Sequence, residues 1–407
     1  MKKSVFLAFV FYAISFGAAT VARADHHPWF GGQCGPVGSS SVLASMPVTQ
    51  GQFPPTGPTY PEGIAILDGR VITTGPATFG TAGNGSPSQL TIFNRFTGAL
   101  LSQTRVAGED LNQEHALSEA ATWLNFLYTP STQLGVLRFR FPLDGSLPPV
   151  QQRYSTSFCS VSGAPPCTVQ TNKCPQGMRG GLPALPNGIA TTTLGGAYVA
   201  DSFQGIIWYV PPAFDWQLPV TPEVFYCSPA LQGSGMPALL PLSLFGANGI
   251  AVVGFDLYIS VSFGPVDGTG LPTSVIYRLP RTASANTPLT PVYQYHPALV
   301  APGVAVPPIA DGVRLDPVTG HLFVVLGGQN QVSELNISTT PAQEVRRFSR
   351  TDPDHPFVNP STIAVALDGT AYVTNHAITC CLPGDPNPAC LCSGAQDLFG
   401  VIELCVR

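Results

Sequence analysis

Asn187-Gly188-Ile189-Ala190 returns as Asn248-Gly249-Ile250-Ala251, and with changes as Glu62-Gly63-Ile64-Ala65 and Asp311-Gly312-Val313-Arg314. Each copy opens on a polar residue, continues into a short apolar run and turns. A second run of β-branched and aromatic residues then follows, at 196–200, 256–261 and 321–326, and a third at 206–210 and 274–279. A fifth copy, Asn359-Pro360-Ser361-Thr362-Ile363-Ala364, precedes Leu367-Asp368-Gly369 and an expected strand over 370–374. Successive starts lie 61 residues apart from Asn187 to Asn248, 63 from Asn248 to Asp311 and 48 from Asp311 to Asn359. Glu62 precedes Asn187 by 125 residues, which leaves room for one further unit. That unit is expected over 117–141, with Phe126-Leu127-Tyr128 and Leu137-Arg138-Phe139 in the strand places. Six units of this length, each a small antiparallel sheet, predict an all-β chain folded as a six-bladed β-propeller.

Composition agrees with that reading. Gly and Pro together occupy 84 of 407 positions, which disfavours long helices. Hydrophobic residues make up 44%, enough for a packed core, whereas only 10% are charged. Lys2 and Lys3 precede an apolar stretch over 5–19, and Ala22-Arg23-Ala24 has the small-x-small form of a cleavage site. Residues 1–24 are therefore expected to be a signal peptide, 25–50 an N-terminal extension, and 51–407 the propeller. Without Lys2, Lys3 and Arg23 the chain carries 15 basic against 23 acidic residues, a net charge of −8. Nucleic-acid binding is disfavoured, and no membrane association is expected once the signal is cleaved. Location is expected to be secreted, or periplasmic in a bacterial host.

All ten cysteines follow the signal segment, an even number in a chain read as exported, so disulfides are expected. A zinc site would need wider spacing than Cys380-Cys381 and Cys390-Leu391-Cys392 provide. The connectivity is left open, though a bridge from Cys34 to the C-terminal region would close the ring. The stretch 154–181, with three cysteines, is expected to be a loop over one face, and the C-terminal cysteines a tail. Asn336-Ile337-Ser338 is a glycosylation sequon, and Asn84-Gly85-Ser86 a second one weakened by Pro87. Asp25-His26-His27 at a new amino terminus has the nitrogen set for square-planar Cu²⁺ or Ni²⁺, with a solvated tail as the plainer reading.

In a propeller the innermost strands begin at one mouth of a central channel, so the polar residues opening the units converge there. Glu62, Asn187, Asn248 and Asp311 would form an all-oxygen donor set, which suits Ca²⁺ or another divalent cation better than zinc or copper. The plainer reading is that Asn-Gly and Asp-Gly mark turns.

At these residues the chain resembles the senescence-marker-protein/gluconolactonase superfamily of six-bladed propellers, which includes regucalcin-like, diisopropyl-fluorophosphatase-like and paraoxonase-like members. Proline before Glu62 and Asn187, the Gly-Ile-Ala that follows, and Ala310-Asp311-Gly312 carry the resemblance. It implies a divalent ion held by Glu62, Asn187, Asn248 and Asp311, with Asp311 also serving as a general base. It implies a catalytic histidine near the second unit, for which His115 is the candidate; His376 is expected near the same mouth. The function implied is secreted metal-dependent hydrolysis of a lactone or ester, on a small and apolar substrate. Two alternatives stay open. One is a metal-independent propeller enzyme catalysing a cyclisation or cycloaddition in an apolar pocket; the other is a non-catalytic binding propeller. No Gly-x-Ser-x-Gly elbow and no phosphate-binding glycine loop occurs.

Overall fold

The computed structural model describes residues 36–46, 61–76, 81–83, 86–158, 174, 182–239, 242–301, 304–349, 357–375 and 400–407. They form six four-stranded antiparallel sheets, the blades of a propeller, as the repeat predicted. Blade 1 runs Gly63–Leu67, Arg70–Gly75, Gln89–Asn94 and Leu100–Arg105 from the inside outwards. Blade 2 runs Ala121–Trp123, Phe126–Ser131, Gly135–Arg140 and Val150–Arg153. Blade 3 is Pro186–Thr191, Ala197–Asp201, Ile206–Val210 and Glu223–Cys227. Blade 4 is Ala247–Val253, Asp256–Val261, Ser274–Pro280 and Thr290–Tyr295. Blade 5 is Ala310–Leu315, Leu322–Leu326, Gln331–Asn336 and Gln343–Ser349.

Blade 6 is a composite. Pro360–Val365, Thr370–Asn375 and Gly400–Cys405 come from the C-terminal part, and the outer strand is Ser40–Ser45. Ser40 pairs with Leu404 and Ser45 with Gly400, so the two ends of the described chain are stitched in one sheet. Part of the segment expected as an N-terminal extension over 25–50 is therefore an integral strand. Ring closure covers the backbone edge that a three-stranded final blade would leave exposed.

Hydrophobic packing lies in the seams between blades. Tyr198 and Ile207 of blade 3 pack on Ile250, Leu257 and Ile259 of blade 4, and equivalent clusters fill the other seams. Each sheet thus buries both faces against its neighbours, which explains strands such as Leu322–Leu326 that are apolar throughout. Cys174, within the segment expected as a loop over 154–181, is bonded to Cys227 at the end of the outer strand of blade 3. Cys405 is disulfide-bonded as well. Residues 1–24, Cys34, the remaining C-terminal cysteines, Asn84 and His376 lie outside the described residues. Asn336 ends a blade 5 strand, and its side-chain oxygen accepts the Ser338 N–H at 3.0 Å.

Candidate functional site

The opening motif does not form turns. Asn187-Gly188, Asn248-Gly249 and Asp311-Gly312 lie inside the innermost strands, where pairing with the second strand skips. The skips fall between Pro186 and Ile189, Ala247 and Ile250, and Ala310 and Val313, with a fourth between Pro360 and Ile363. Such bulges re-aim a side chain out of the pleat. The glycine of each motif is there for close approach. A Cβ on Gly188 would sit 2.0 Å from Asn248 O, and one on Gly249 2.5 Å from Asp311 O. A Cβ on Gly63 would meet Ser118 O at 2.4 Å, and one on Gly312 would meet Ser361 O at 2.9 Å.

These contacts define one ring of equivalent positions round the channel mouth: Glu62, Ser118, Asn187, Asn248, Asp311 and Ser361. The four residues expected as a donor set therefore do share a layer. In blade 6 the equivalent residue is Ser361 and not Asn359, which sits two residues upstream and donates to Gly327 O at 3.0 Å.

Serine hydroxyls set the orientation of both asparagines. Ser202 Oγ donates to Ala247 O at 2.9 Å and accepts from Asn187 Nδ2 at 3.2 Å. Ser262 Oγ donates to Ala310 O at 2.8 Å and accepts from Asn248 Nδ2 at 2.9 Å. A hydroxyl has one proton, and here it is committed to the next blade, so each serine accepts only the amide N–H₂. The amide oxygens of Asn187 and Asn248 are thereby turned away from the serines. The same kind of hydroxyl link joins blade 6 to blade 1, where Ser361 Oγ meets Glu62 O at 2.8 Å.

A third carboxylate stands one residue below the ring. Glu119 occupies the place that glycine holds in blades 1, 3, 4 and 5, and its Oε2 accepts the Ile189 N–H at 2.9 Å. Arg314 stands where blades 1, 2, 3, 4 and 6 have Ala65, Ala121, Ala190, Ala251 and Ala364. Blades 5 and 2 face each other across the axis. Arg314 spans it, pairing with Glu119 Oε1 at 2.9 Å and donating to Ala120 O. The alanines leave the room that the guanidinium needs. Neither residue was singled out from the sequence. The signal was there all the same, since these are the glycine and the alanine of the repeat replaced by opposite charges.

The electrostatics of this layer are those of crowded carboxylates. Burial pushes the Asp311 carboxyl well above its ordinary range, the nearby Glu62 and Glu119 add to the shift, and an Asn248 hydrogen bond offsets part of it. Burial raises Glu119 to about 7, against the pull of Arg314 and the Ile189 N–H and with some help from Glu62. Outside the ring, burial raises Asp201 to about 6, although it accepts from the N–H groups of Leu185, Phe203 and Gln204.

As pH climbs above 4, unfolded Asp and Glu lose their protons while folded Asp201 and Glu119 still hold theirs. Stability contributed by these groups is complete at low pH and declines until pH passes about 7. The metal-free protein is expected to be more resistant to urea at pH 5 than at pH 7.5. Glu119 alone accounts for roughly 2 kcal/mol of that difference. A midpoint higher at pH 7.5, or a Glu119→Gln chain with unchanged pH dependence, would contradict this.

His115 is buried, and both ring nitrogens are engaged: Nδ1 lies 3.0 Å from Gln113 O and Nε2 2.8 Å from Ser86 O. Its backbone N–H donates to Thr81 Oγ1 at 2.8 Å. The structure thus places it as a tie between segments leading into blade 2. Among the described residues no three His, Cys, Asp or Glu side chains are grouped as a metal-ligand cluster. The ring offers two carboxylates together with two amides.

Below the Glu119–Arg314 pair the channel has a mixed lining, aliphatic side chains together with Thr122, Thr191 and backbone polar groups. A cavity of about 250 Å³ is lined by Ile64, Ile66, Ile189, Ile250, Leu315 and Val365 among others, with Arg314 at its edge. The ion pair separates an acidic mouth from a bore walled largely by the aliphatic side chains of the inner strands.

No family model matches this chain, and no curated protein matches it. Solved structures do. A protein of unknown function from Bacteroides thetaiotaomicron is 10% identical, with a TM-score of 0.51, over 90% of this chain and 75% of that one. A calcium-binding protein, regucalcin, from Agrobacterium tumefaciens is 13% identical, with a TM-score of 0.47, over 84% of this chain and 89% of that one. Virginiamycin B lyase from Staphylococcus aureus is 12% identical, with a TM-score of 0.39, over 78% of each chain. At such identities a likeness speaks to fold alone, and the six blades are read from this chain's own sheets. By their names, some of the matched structures are enzymes.

Proposed function

We propose that this chain is a secreted hydrolase of lactones or related esters that works with a divalent cation, Ca²⁺ by the chemistry of its donors. The cation would be held by Glu62, Asn187, Asn248 and Asp311. One observation carries the reading: Asp311 lies half-buried within electrostatic reach of two further carboxylates, and the ring asparagines are locked by serine hydroxyls. Carboxylates crowded together and withdrawn from water are costly unless a cation balances them. A bound divalent ion would polarise a substrate carbonyl and stabilise the charge that develops on its oxygen.

The protein's own contributions are separable. Ser202 and Ser262 orient the amides, and the Glu119–Arg314 pair closes the mouth from below. Asp311, as a carboxylate, takes a proton from an attacking water at Oδ. His115 joins the catalysis only if it gives up one of its two carbonyl partners. A disulfide at Cys174–Cys227 suits the proposed export.

Elemental analysis of the purified protein is expected to find about one calcium per chain, removable by exhaustive chelation with loss of lactone or ester turnover. Glu62→Ala should lose both ion and turnover. Retention of both in Glu62→Ala overturns the proposal. The aliphatic side chains in the bore favour a second reading, a metal-independent cyclase or a plain binding propeller for an apolar molecule. Activity or binding that survives chelation would select it.

A further inference from the structure

Strand direction sorts the exposed apolar side chains. Inner strands start at the acidic mouth, so the turns between first and second strands, and between third and outer strands, all lie on the opposite face. Leu124, Leu194, Phe214, Trp216, Phe255 and Leu367 stand on such turns in blades 2, 3, 4 and 6, and blades 1 and 5 add Phe96 and Val318. Trp216 is 79% exposed and Phe255 85%. On the mouth face the described large apolar residues with comparable exposure are Leu242, Val266 and Leu299.

Two local features show that these tips are built and not incidental. Leu124 adopts φ 54°, a backbone region that suits glycine or asparagine and costs a bulky residue energy. Phe214 and Trp216 stack with ring centres 4.6 Å apart and planes 5° apart, on a loop pinned by an Asp215–Arg138 ion pair. The bulkiest apolar pair on this face is thus held rigidly outward.

We propose that this face docks on a phospholipid–water interface. The tips are separate points spread over a disc, with polar turn residues between them. A protein partner needs a contiguous, close-packed apolar centre, whereas an interface accepts isolated side chains each sunk a few ångströms. Phe and Trp favour that boundary. Charges beside the tips are of both signs, Arg95, Arg140 and Arg281 against Asp68, Asp144 and Asp256, which suits a zwitterionic surface over an anionic one. The cavity beneath the Glu119–Arg314 pair is walled by the later halves of the inner strands, which run toward this face. The inference departs from the sequence expectation of no membrane contact, and it holds whether or not the mouth binds a cation.

The test uses a chain beginning at Asp25, which keeps every described strand, with phosphatidylcholine vesicles. Co-sedimentation with the vesicles and a blue shift of tryptophan emission are expected. Trp216→Ser and Phe255→Ser should each weaken partition by about tenfold, and Leu299→Ser on the mouth face should leave it unchanged. The proposal fails if the parent chain stays in the supernatant, or if all three variants partition alike. It also fails if the parent is a dimer that Trp216→Ser dissolves, since the face would then be a contact between two copies.

Discussion

Gly188→Ala is expected to lower unfolding free energy by about 3 kcal/mol, at the upper end of what a single added methyl costs in a packed interior. The added carbon would lie 2.0 Å from Asn248 O and 3.0 Å from Asn248 C. Both are backbone atoms of the adjoining blade, so no side-chain rotation relieves the clash. Blades 3 and 4 must part at their seam, and Asn248 moves with blade 4. Gly268→Ala is the matched control, because a Cβ there meets nothing within 4 Å and its φ is ordinary. Urea unfolding of the two variants decides the matter; equal midpoints would mean that the blades do not approach each other as described.

Arg314→Ala should cost about 3–5 kcal/mol, the range seen when one member of a buried ion pair is removed. Glu119 is 3% exposed at its side chain and would be left with its Oε2 contact to Ile189 alone. Protonation relieves part of the loss, so the deficit should be larger at pH 8 than at pH 5. Adding Glu119→Gln to Arg314→Ala removes the stranded charge and is expected to recover about half of the lost stability. A double variant no better than the single would show that Arg314 acts by filling the bore and not by charge. Unlike the loss in Gly188→Ala, this one reports on the axis and not on a seam.

Much of the architecture was legible in the order of residues. The repeat located the innermost strands, and 206–210 and 256–261 match the observed strands Ile206–Val210 and Asp256–Val261. The irregular second unit fell where blade 2 stands, because Phe126-Leu127-Tyr128 and Leu137-Arg138-Phe139 keep strand character even where the opening motif is lost. Glu62, Asn187, Asn248 and Asp311 were read as one layer, since equivalent positions of a closed repeat must converge. The outer strand Ser40–Ser45 escaped notice. It belongs to no repeat unit, and its partner lies some 360 residues away, at Gly400–Cys405.

What the sequence determined by itself was therefore periodic: the all-β class, the number of blades, and which residues open four of the six inner strands. Hydrophobic patterning and turn chemistry are local, and a sixfold repeat turns local signals into a global one. Tertiary structure alone decided what breaks that periodicity. Only closure of the ring sets blade 2 opposite blade 5 and makes a partner of Glu119 for Arg314. Only the approach of neighbouring backbones shows that the motif glycines serve contact and not turns. Strand direction in the assembled sheets, in turn, gathers Leu124, Trp216 and Phe255 onto one face. Each of these depends on separations of tens to hundreds of residues, which the reading of one short segment does not carry.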